Sequence, residues 1–188
     1  MQNKRIAITG GVGSGKSTLL AAFRTLGYPT ASCDEVVAAL WQEQDFLEGL
    51  KDIFHELETI DKGTVSKAVF RDPILRERLN DYTHPKVMER VLKPVQGLYF
   101  VEVPLLFECG LQGLFDGVVA VRRSKESRIE SLVSSRNWTK QEAISRMKTQ
   151  FDPARLDEMN CFVVENDGDV EKLQAAAARL VEIFLAAK

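Results

Sequence analysis

The chain has 188 residues, 45% of them hydrophobic and 28% charged, an ordinary globular composition that excludes a disordered or collagen-like polymer. Its formal charge of −2 supplies no whole-chain basic field for nucleic acid or an anionic membrane, so any bound anion must be held by a local arrangement. Ile6 to Thr9 is an apolar run ending in Gly10 and Gly11, and reads as a buried strand of a parallel sheet. Lys16 to Leu26 places Leu19, Leu20, Phe23 and Leu26 on one helix face, with Gly27 where a left-handed closing residue is wanted. Tyr28 to Ser32 reads as a second strand, and Asp34 stands at an N-cap position before Val36, Val37, Leu40 and Trp41. Residues 41–97 are helix-like and charge-rich, punctuated by Pro73, Pro85 and Pro94, and are expected to form a helical insertion on the sheet. Strand patterns return at Leu98–Val103 and Gly117–Val121. Helices follow at about Lys125–Ser135 and Lys140–Gln150, joined by Asn137, Trp138 and Thr139. Cys161–Glu165 is a last strand and Asp169–Ala186 a terminal helix. Five strands alternating with helices predict an α/β fold, a three-layer α/β/α sandwich on a five-stranded parallel sheet with right-handed crossovers.

The three cysteines, Cys33, Cys109 and Cys161, are far apart and form no C-x-x-C pair, so neither zinc nor a disulfide framework is expected. No stretch approaches the ~18 apolar residues that span a bilayer, and Ile6–Ile8 is too short for a signal-peptide core. A soluble cytoplasmic protein, a monomer or weak homo-oligomer with no nucleic-acid or membrane partner, is the expectation.

Gly10-Gly11-Val12-Gly13-Ser14-Gly15-Lys16-Ser17 fits G-x-x-x-x-G-K-[ST] between an apolar strand and an amphipathic helix. Bare backbone N–H groups surround a phosphate chain only where side chains do not intervene, which is the use of Gly11, Gly13 and Gly15 beside Ser14. The loop opens a helix, so first-turn N–H groups and the positive dipole end face the same anion. Lys16 is expected to bridge the β and γ phosphates of a bound triphosphate, Ser17 to reach Mg²⁺, and Thr18 to touch the α phosphate. A dinucleotide-binding turn is the nearer rival, with Asp34 near the end of strand two, but the third glycine of G-x-G-x-x-G falls on Lys16. A plain flexible glycine turn is the bland alternative. N-K-x-D and D-x-x-G, which guanine-nucleotide switches need, are absent from the sequence, and the length leaves little room for a motor module. A small-molecule kinase remains, with core segments at about 1–40, 98–122 and 160–188, the helical acceptor-binding insertion at 41–97, and a lid at about 124–152.

Phosphoryl transfer to a hydroxyl needs a carboxylate near the acceptor oxygen, a metal, and cations over the γ-phosphate. Asp34 is the best carboxylate, since it and the loop both leave strands at the carboxyl edge of a parallel sheet, although an N-cap role accounts for it too. Glu102 is a candidate to support Mg²⁺ through water, or a strand residue facing a polar partner. Arg128, Arg136 and Arg146 fit a solvated helix face equally well, and Pro104-Leu105-Leu106-Phe107 fits an apolar core turn.

The sequence resembles dephospho-CoA kinases along nearly its whole length. The resemblance rests on Ile8–Thr18, Asp34, L-N-D-Y-T-H-P at 79–85, E-V-P-L-L-F-E at 102–108, F-D-G-V-V-A-V at 115–121, R-N-W-T at 136–139, Gln150, and V-V-E-N-D-G at 163–168. It implies transfer of a phosphoryl group from ATP to the ribose 3′-hydroxyl of 3′-dephospho-CoA, giving ADP and CoA. It also implies that Asp34 is the catalytic aspartate and that His84, Pro104, Leu105, Leu106 and Glu108 lie near the acceptor. By the same resemblance Arg136 is the lid arginine over the ATP phosphates and Asn166 lies near the adenine. Three departures stand out: Ser32-Cys33-Asp34 keeps only the second acid of the family's Asp-x-Asp, the stretch from Gly63 to Phe70 is several residues short with Ser66-Lys67 where an arginine is usual, and the lid register at Ser135–Arg136 slides by one residue. Another small kinase, or a silent nucleotide-binding regulator, are the competing readings.

Overall fold

The computed structural model describes residues 3–136, 138–148 and 150–187, so Asn137 and Thr149, both within the segment expected to form the lid, lie outside the described residues. The chain divides into two compact units, residues 1–32 with 94–188, and residues 33–93.

The first unit is built on five parallel strands: β1 (Lys4–Thr9), β2 (Thr30–Ser32), β3 (Leu98–Glu102), β4 (Gly117–Arg122) and β5 (Phe162–Glu165), in the order β2-β3-β1-β4-β5. All five residues of β3 are buried, which is why L-Y-F-V-E reads as a continuous run rather than an alternating one. β2 is shorter than expected: Tyr28 is still tied to the preceding helix, donating its N–H to the Phe23 carbonyl at 3.1 Å. β5 likewise starts one residue late, because the Cys161 N–H turns back to the Met159 carbonyl at 2.8 Å.

Helix α1 (Lys16–Thr25) and the C-terminal helix α8 (Val170–Ala186) share one apolar layer against the sheet, in a core that includes Ile6, Ile8, Leu19, Phe23, Phe100, Val119, Ala177, Leu180 and Phe184. The rings of Phe23 and Phe100 stack with centroids 3.7 Å apart and planes 9° from parallel. Asp169 caps α8, accepting from the Glu171 and Lys172 N–H groups, so it stands just outside the helix it was expected to begin. Two further helices, α6 (Lys125–Arg136) and α7 (Lys140–Lys148), form a smaller cluster of Ile129, Leu132 and Ala143 with Val12, Trp138, Ile144 and Met147. Thr139 and Glu142 begin α7 as a capping box, and the Thr139 hydrogen bonds hold the Glu142 carboxyl below its ordinary pKa.

The second unit is helical throughout: α2 (Cys33–Leu40), α3 (Gln44–Ile53), α4 (Lys62–Arg71) and α5 (Pro73–Val91). Asp61 caps α4 in a reciprocal box with Thr64, and Asp72 caps α5 ahead of Pro73. Phe46 of α3 stacks on Tyr82 of α5 at 5.4 Å, with Trp41 edge-on to Phe46 at 5.8 Å. The fork of Arg90 grips Glu43 at 2.6 and 2.5 Å, tying the end of α5 to the start of α3. Two expectations are corrected here. α2 begins at Cys33 directly from the strand, so Asp34 lies inside the first turn rather than at the N-cap. Pro85 does not end a helix: α5 runs through it, with both Pro85 and Asp81, whose carbonyl loses its i+4 donor to the proline, exposed. His84 is accordingly an exposed mid-helix residue. Among the described residues no helix is long and apolar enough to cross a membrane.

Candidate active site

The loop between β1 and α1 leaves the carboxyl edge of the central strand. The φ of Gly15 is +101°, a left-handed conformation that swings the chain into α1 with the first-turn N–H groups free of any side-chain cap. A cradle of this kind needs its N–H groups turned inward, which turns its carbonyls outward, and buried carbonyls require donors. Four carbonyls of the loop have one. Gly11 O accepts from the Lys16 ammonium at 3.2 Å and from the Ser14 N–H at 3.1 Å. Val12 O accepts from Nε of Arg128 at 2.8 Å. Gly13 O accepts from Nη1 of Arg123 at 3.5 Å, and Ser14 O from Nδ2 of Asn166 at 2.6 Å. The Val12 N–H points outward to Oε1 of Gln150 at 2.8 Å.

Lys16 is 8% exposed and folded over the loop. Ser17, next along α1, donates its hydroxyl to Oε1 of Glu102 at 3.1 Å. Glu102 is the last residue of β3, 5% exposed and in register with Ile8 on one side and Ser32 on the other. The lone pairs of the Ser17 oxygen are thereby left for a cation while its proton is committed to an acid. Among the described residues no cluster of three or more His, Cys, Asp or Glu side chains forms a self-sufficient metal cage.

The structure thus gathers Gly11, Gly13, Ser14, Gly15, Lys16, Ser17, Glu102 and Asn166 around one loop. Asn166 does so from the end of β5: its N–H bonds Arg122 O at 2.8 Å, and its side-chain oxygen takes the Gly168 N–H at 2.8 Å. Thr18 is exposed on the first turn of α1. Pro104 and Glu108 line a narrow cavity with Gly10, Gly11, Arg128 and Gln150. Leu106 is fully buried and Leu105 is 44% exposed, so the segment after β3 is partly the apolar turn it resembles. Glu108 accepts the Phe151 N–H at 2.7 Å, and Phe107 packs on the Phe151 ring at 4.8 Å. Arg136 is exposed at the end of α6, with its guanidinium 5.4 Å from the Trp138 ring centre, while Arg146 lies 4.4 Å from the same ring. Asp34 and His84 belong to the helical unit. Asp34 is exposed in the first turn of α2, two residues beyond the end of β2, where the helix dipole favours a carboxylate.

One expectation about the arginines is corrected. Arg128 is no solvated helix residue: it is 4% exposed, and burial pushes its guanidinium below the ordinary arginine pKa. The sequence carries a signal for this, since Arg128 and Leu132 stand at i and i+4 and Leu132 is a core residue of α6, so Arg128 shares its inward stripe. Arg123 and Gln150 escape sequence reasoning as loop supports, because neither lies on a periodic face.

Residues 4–172 match the profile of the dephospho-CoA kinase family. Over 197 aligned residues the chain is 32% identical to the dephospho-CoA kinase of Listeria monocytogenes, covering 97% of this chain and 98% of that relative. The crystal structure of TT1252 from Thermus thermophilus superposes with a TM-score of 0.85 at 31% identity, over 97% of this chain and 99% of that one. The dephospho-CoA kinase of Campylobacter jejuni, at 20% identity and a TM-score of 0.70 over 96% of each chain, shares the fold. With its glycine-rich loop leaving the central strand and similarity that runs the length of the molecule, the chain belongs to the dephospho-CoA kinase family.

Proposed function

We propose that the chain transfers the γ-phosphoryl group of ATP to the ribose 3′-hydroxyl of dephospho-CoA, giving CoA and ADP, the last step of coenzyme A biosynthesis. The observation that carries this is the family match over residues 4–172 together with a glycine-rich loop in which the Gly11, Val12, Gly13 and Ser14 carbonyls each accept from a side-chain donor. The hydroxyl oxygen forms the new bond to the γ-phosphorus, the bond from that phosphorus to the β–γ bridging oxygen breaks, and ADP leaves with the electron pair. Asp34 orients the attacking hydroxyl and accepts its proton. Lys16 and the loop N–H groups neutralise charge on the β and γ phosphates, which is the main protein contribution to this class of reaction.

Mg²⁺ fits the residues present: the Ser17 hydroxyl would hold it directly and Glu102 through water, the remaining ligands being phosphate oxygens and water, as this ion prefers. Bound there, it would neutralise phosphate charge. Gly11, Gly13, Ser14, Gly15 and Thr18 complete the phosphate contacts, Asn166 lies near the adenine, and Arg136 covers the phosphates from the lid. His84, Pro104, Leu105, Leu106 and Glu108 belong to the acceptor side. The enzyme works in the cytoplasm as a monomer or weak homo-oligomer on small molecules alone.

ADP release, coupled to an optical readout and measured with dephospho-CoA, nucleoside monophosphates and shikimate as acceptors, tests this. Dephospho-CoA should be turned over preferentially. Preferred turnover of a nucleoside monophosphate, or ADP release indifferent to the acceptor, overturns it.

A further inference from the structure

Arg128 carries a full positive charge at 4% exposure, yet both of its hydrogen-bond partners are neutral oxygens: the Val12 carbonyl at 2.8 Å and Oε1 of Gln150 at 3.3 Å. Among the described residues no carboxylate pairs with it. Burying an uncompensated guanidinium is costly, so a position that keeps one is bound to a purpose. Its surroundings state the purpose. The guanidinium lies against Gly11, so closely that a methyl group on that residue would collide with Nη2 and Cζ. Gln150 closes a ring: its single oxygen accepts from the Val12 N–H at 2.8 Å and from Arg128, so both peptide groups of Val12 are held from outside by this pair. α6 contributes Arg128 and the segment after α7 contributes Gln150, so the loop is fixed by both ends of the lid region.

We propose that Arg128, braced by Gln150, is a positioning residue for polyphosphate: it holds the Gly11–Val12 half of the loop in the shape that turns the neighbouring N–H groups onto the phosphates, and it links that shape to the lid. The proposal rests on the reading of the loop as an ATP socket. It differs from a bare electrostatic role because the fork geometry matters, not the charge alone: Nε serves the carbonyl while Nη2 serves Gln150.

Calorimetry with MgATP and with magnesium tripolyphosphate, which lacks the base and ribose, reads the loop directly. Arg128→Ala should weaken both ligands by a similar factor, about 10- to 100-fold. Arg128→Lys restores the charge and not the fork, and should stay at least about fivefold weaker than the native protein. Gln150→Ala should weaken both ligands by about three- to tenfold, and the double variant Arg128→Ala/Gln150→Ala should be no worse than the Arg128→Ala variant within about threefold, because both act through Val12. In turnover, KM for MgATP should rise while KM for dephospho-CoA and kcat at saturation move less than about threefold. A merely structural arginine would instead lower the melting temperature and the active fraction, leaving both KM values in place. Should Arg128→Ala not fold, the Arg128→Lys and Gln150→Ala variants carry the test alone. Full recovery by lysine, a loss confined to MgATP and absent with tripolyphosphate, or multiplicative losses in the double variant each overturn the proposal. Failure of the kinase reading shows separately, as absence of dephospho-CoA turnover by the native protein whatever the calorimetry gives.

Discussion

Removing the side chain of Asn166 separates two jobs that one residue could have in this site. The carboxamide is 7% exposed and bridges two backbone groups, giving Nδ2 to the Ser14 carbonyl at 2.6 Å and taking the Gly168 N–H at 2.8 Å. Asn166→Ala deletes both bonds. Ser14 is buried at 1% exposure, so its carbonyl is left without water, an orphan worth about 2 kcal/mol, whereas Gly168 is exposed and its N–H is rehydrated at about 1 kcal/mol or less. The sum, about 3 kcal/mol, corresponds to a fall in melting temperature of roughly 6–12 °C for a chain of this size. The freed Ser14 peptide then lets the loop relax, so MgATP and magnesium tripolyphosphate should lose affinity together. Asn166→Asp should be worse for both ligands, since it sets a carboxylate oxygen against a carbonyl and a negative charge beside the socket. Differential scanning calorimetry and titration calorimetry measure the two quantities. A melting temperature within 1 °C of the native protein and a loss seen only with the adenine nucleotide would refute the reasoning, and would assign Asn166 to the base alone.

Three further outcomes are expected. Lys16→Ala should reduce kcat by about 10³-fold or more, through lost charge stabilisation of the γ-phosphoryl group, while the melting temperature changes little; near-native turnover in the coupled assay would remove Lys16 from the chemistry. If Asp34 acts on the acceptor hydroxyl as proposed, Asp34→Asn should lower kcat far more than it alters the Kd for MgATP; a pure loss of nucleotide binding with kcat intact would make it structural. Asp61→Ala should lower the melting temperature near neutral pH, by removing the cap of α4. The Thr64 and Gly63 N–H groups hold the Asp61 carboxyl below its ordinary value of 3.8. A depressed native pKa contributes stability that is complete above the unfolded value and is lost as pH falls through the native one. The gap between variant and native melting temperatures should therefore narrow below about pH 4; a gap that widens on acidification contradicts the capping account.

The strands, the loop and the terminal helix were legible because their signals are local: apolar runs ended by glycine, a motif of fixed spacing, and a helical stripe ending at Phe184. The helical insertion was legible as a class and not as an arrangement. That Phe46 meets Tyr82, or that Arg90 grips Glu43, depends on pairings 36 and 47 residues apart in the chain, which no short-range pattern encodes. Pro85 misled because proline's missing N–H usually ends a helix, whereas here the residue that loses its donor, Asp81, lies on the exposed face of α5. Asp34 misled in a smaller way, because a strand that passes straight into a helix has no separate cap residue. Arg128 was hidden by its type: charged side chains at helical spacing are mostly solvated, and only its phase with Leu132 argues otherwise.

The support of the loop explains why its eight-residue motif does not by itself specify a reaction. The glycines permit the fold of the loop, but they do not enforce it; a chain of such residues has more conformational freedom to lose than any other. What holds the carbonyls outward comes from elsewhere: Arg123 just after β4, Arg128 on α6, Asn166 after β5, and Lys16 from the motif itself. Three of these four donors are cations, and all three stand within hydrogen-bond distance of the loop that is proposed to receive the polyphosphate. One set of side chains therefore both shapes the N–H cradle and biases the local potential toward phosphate. The consequence is that substitutions at positions 123, 128 and 166, far from the motif in sequence, should act on nucleotide affinity as motif substitutions do, whereas the acceptor is chosen elsewhere in the chain.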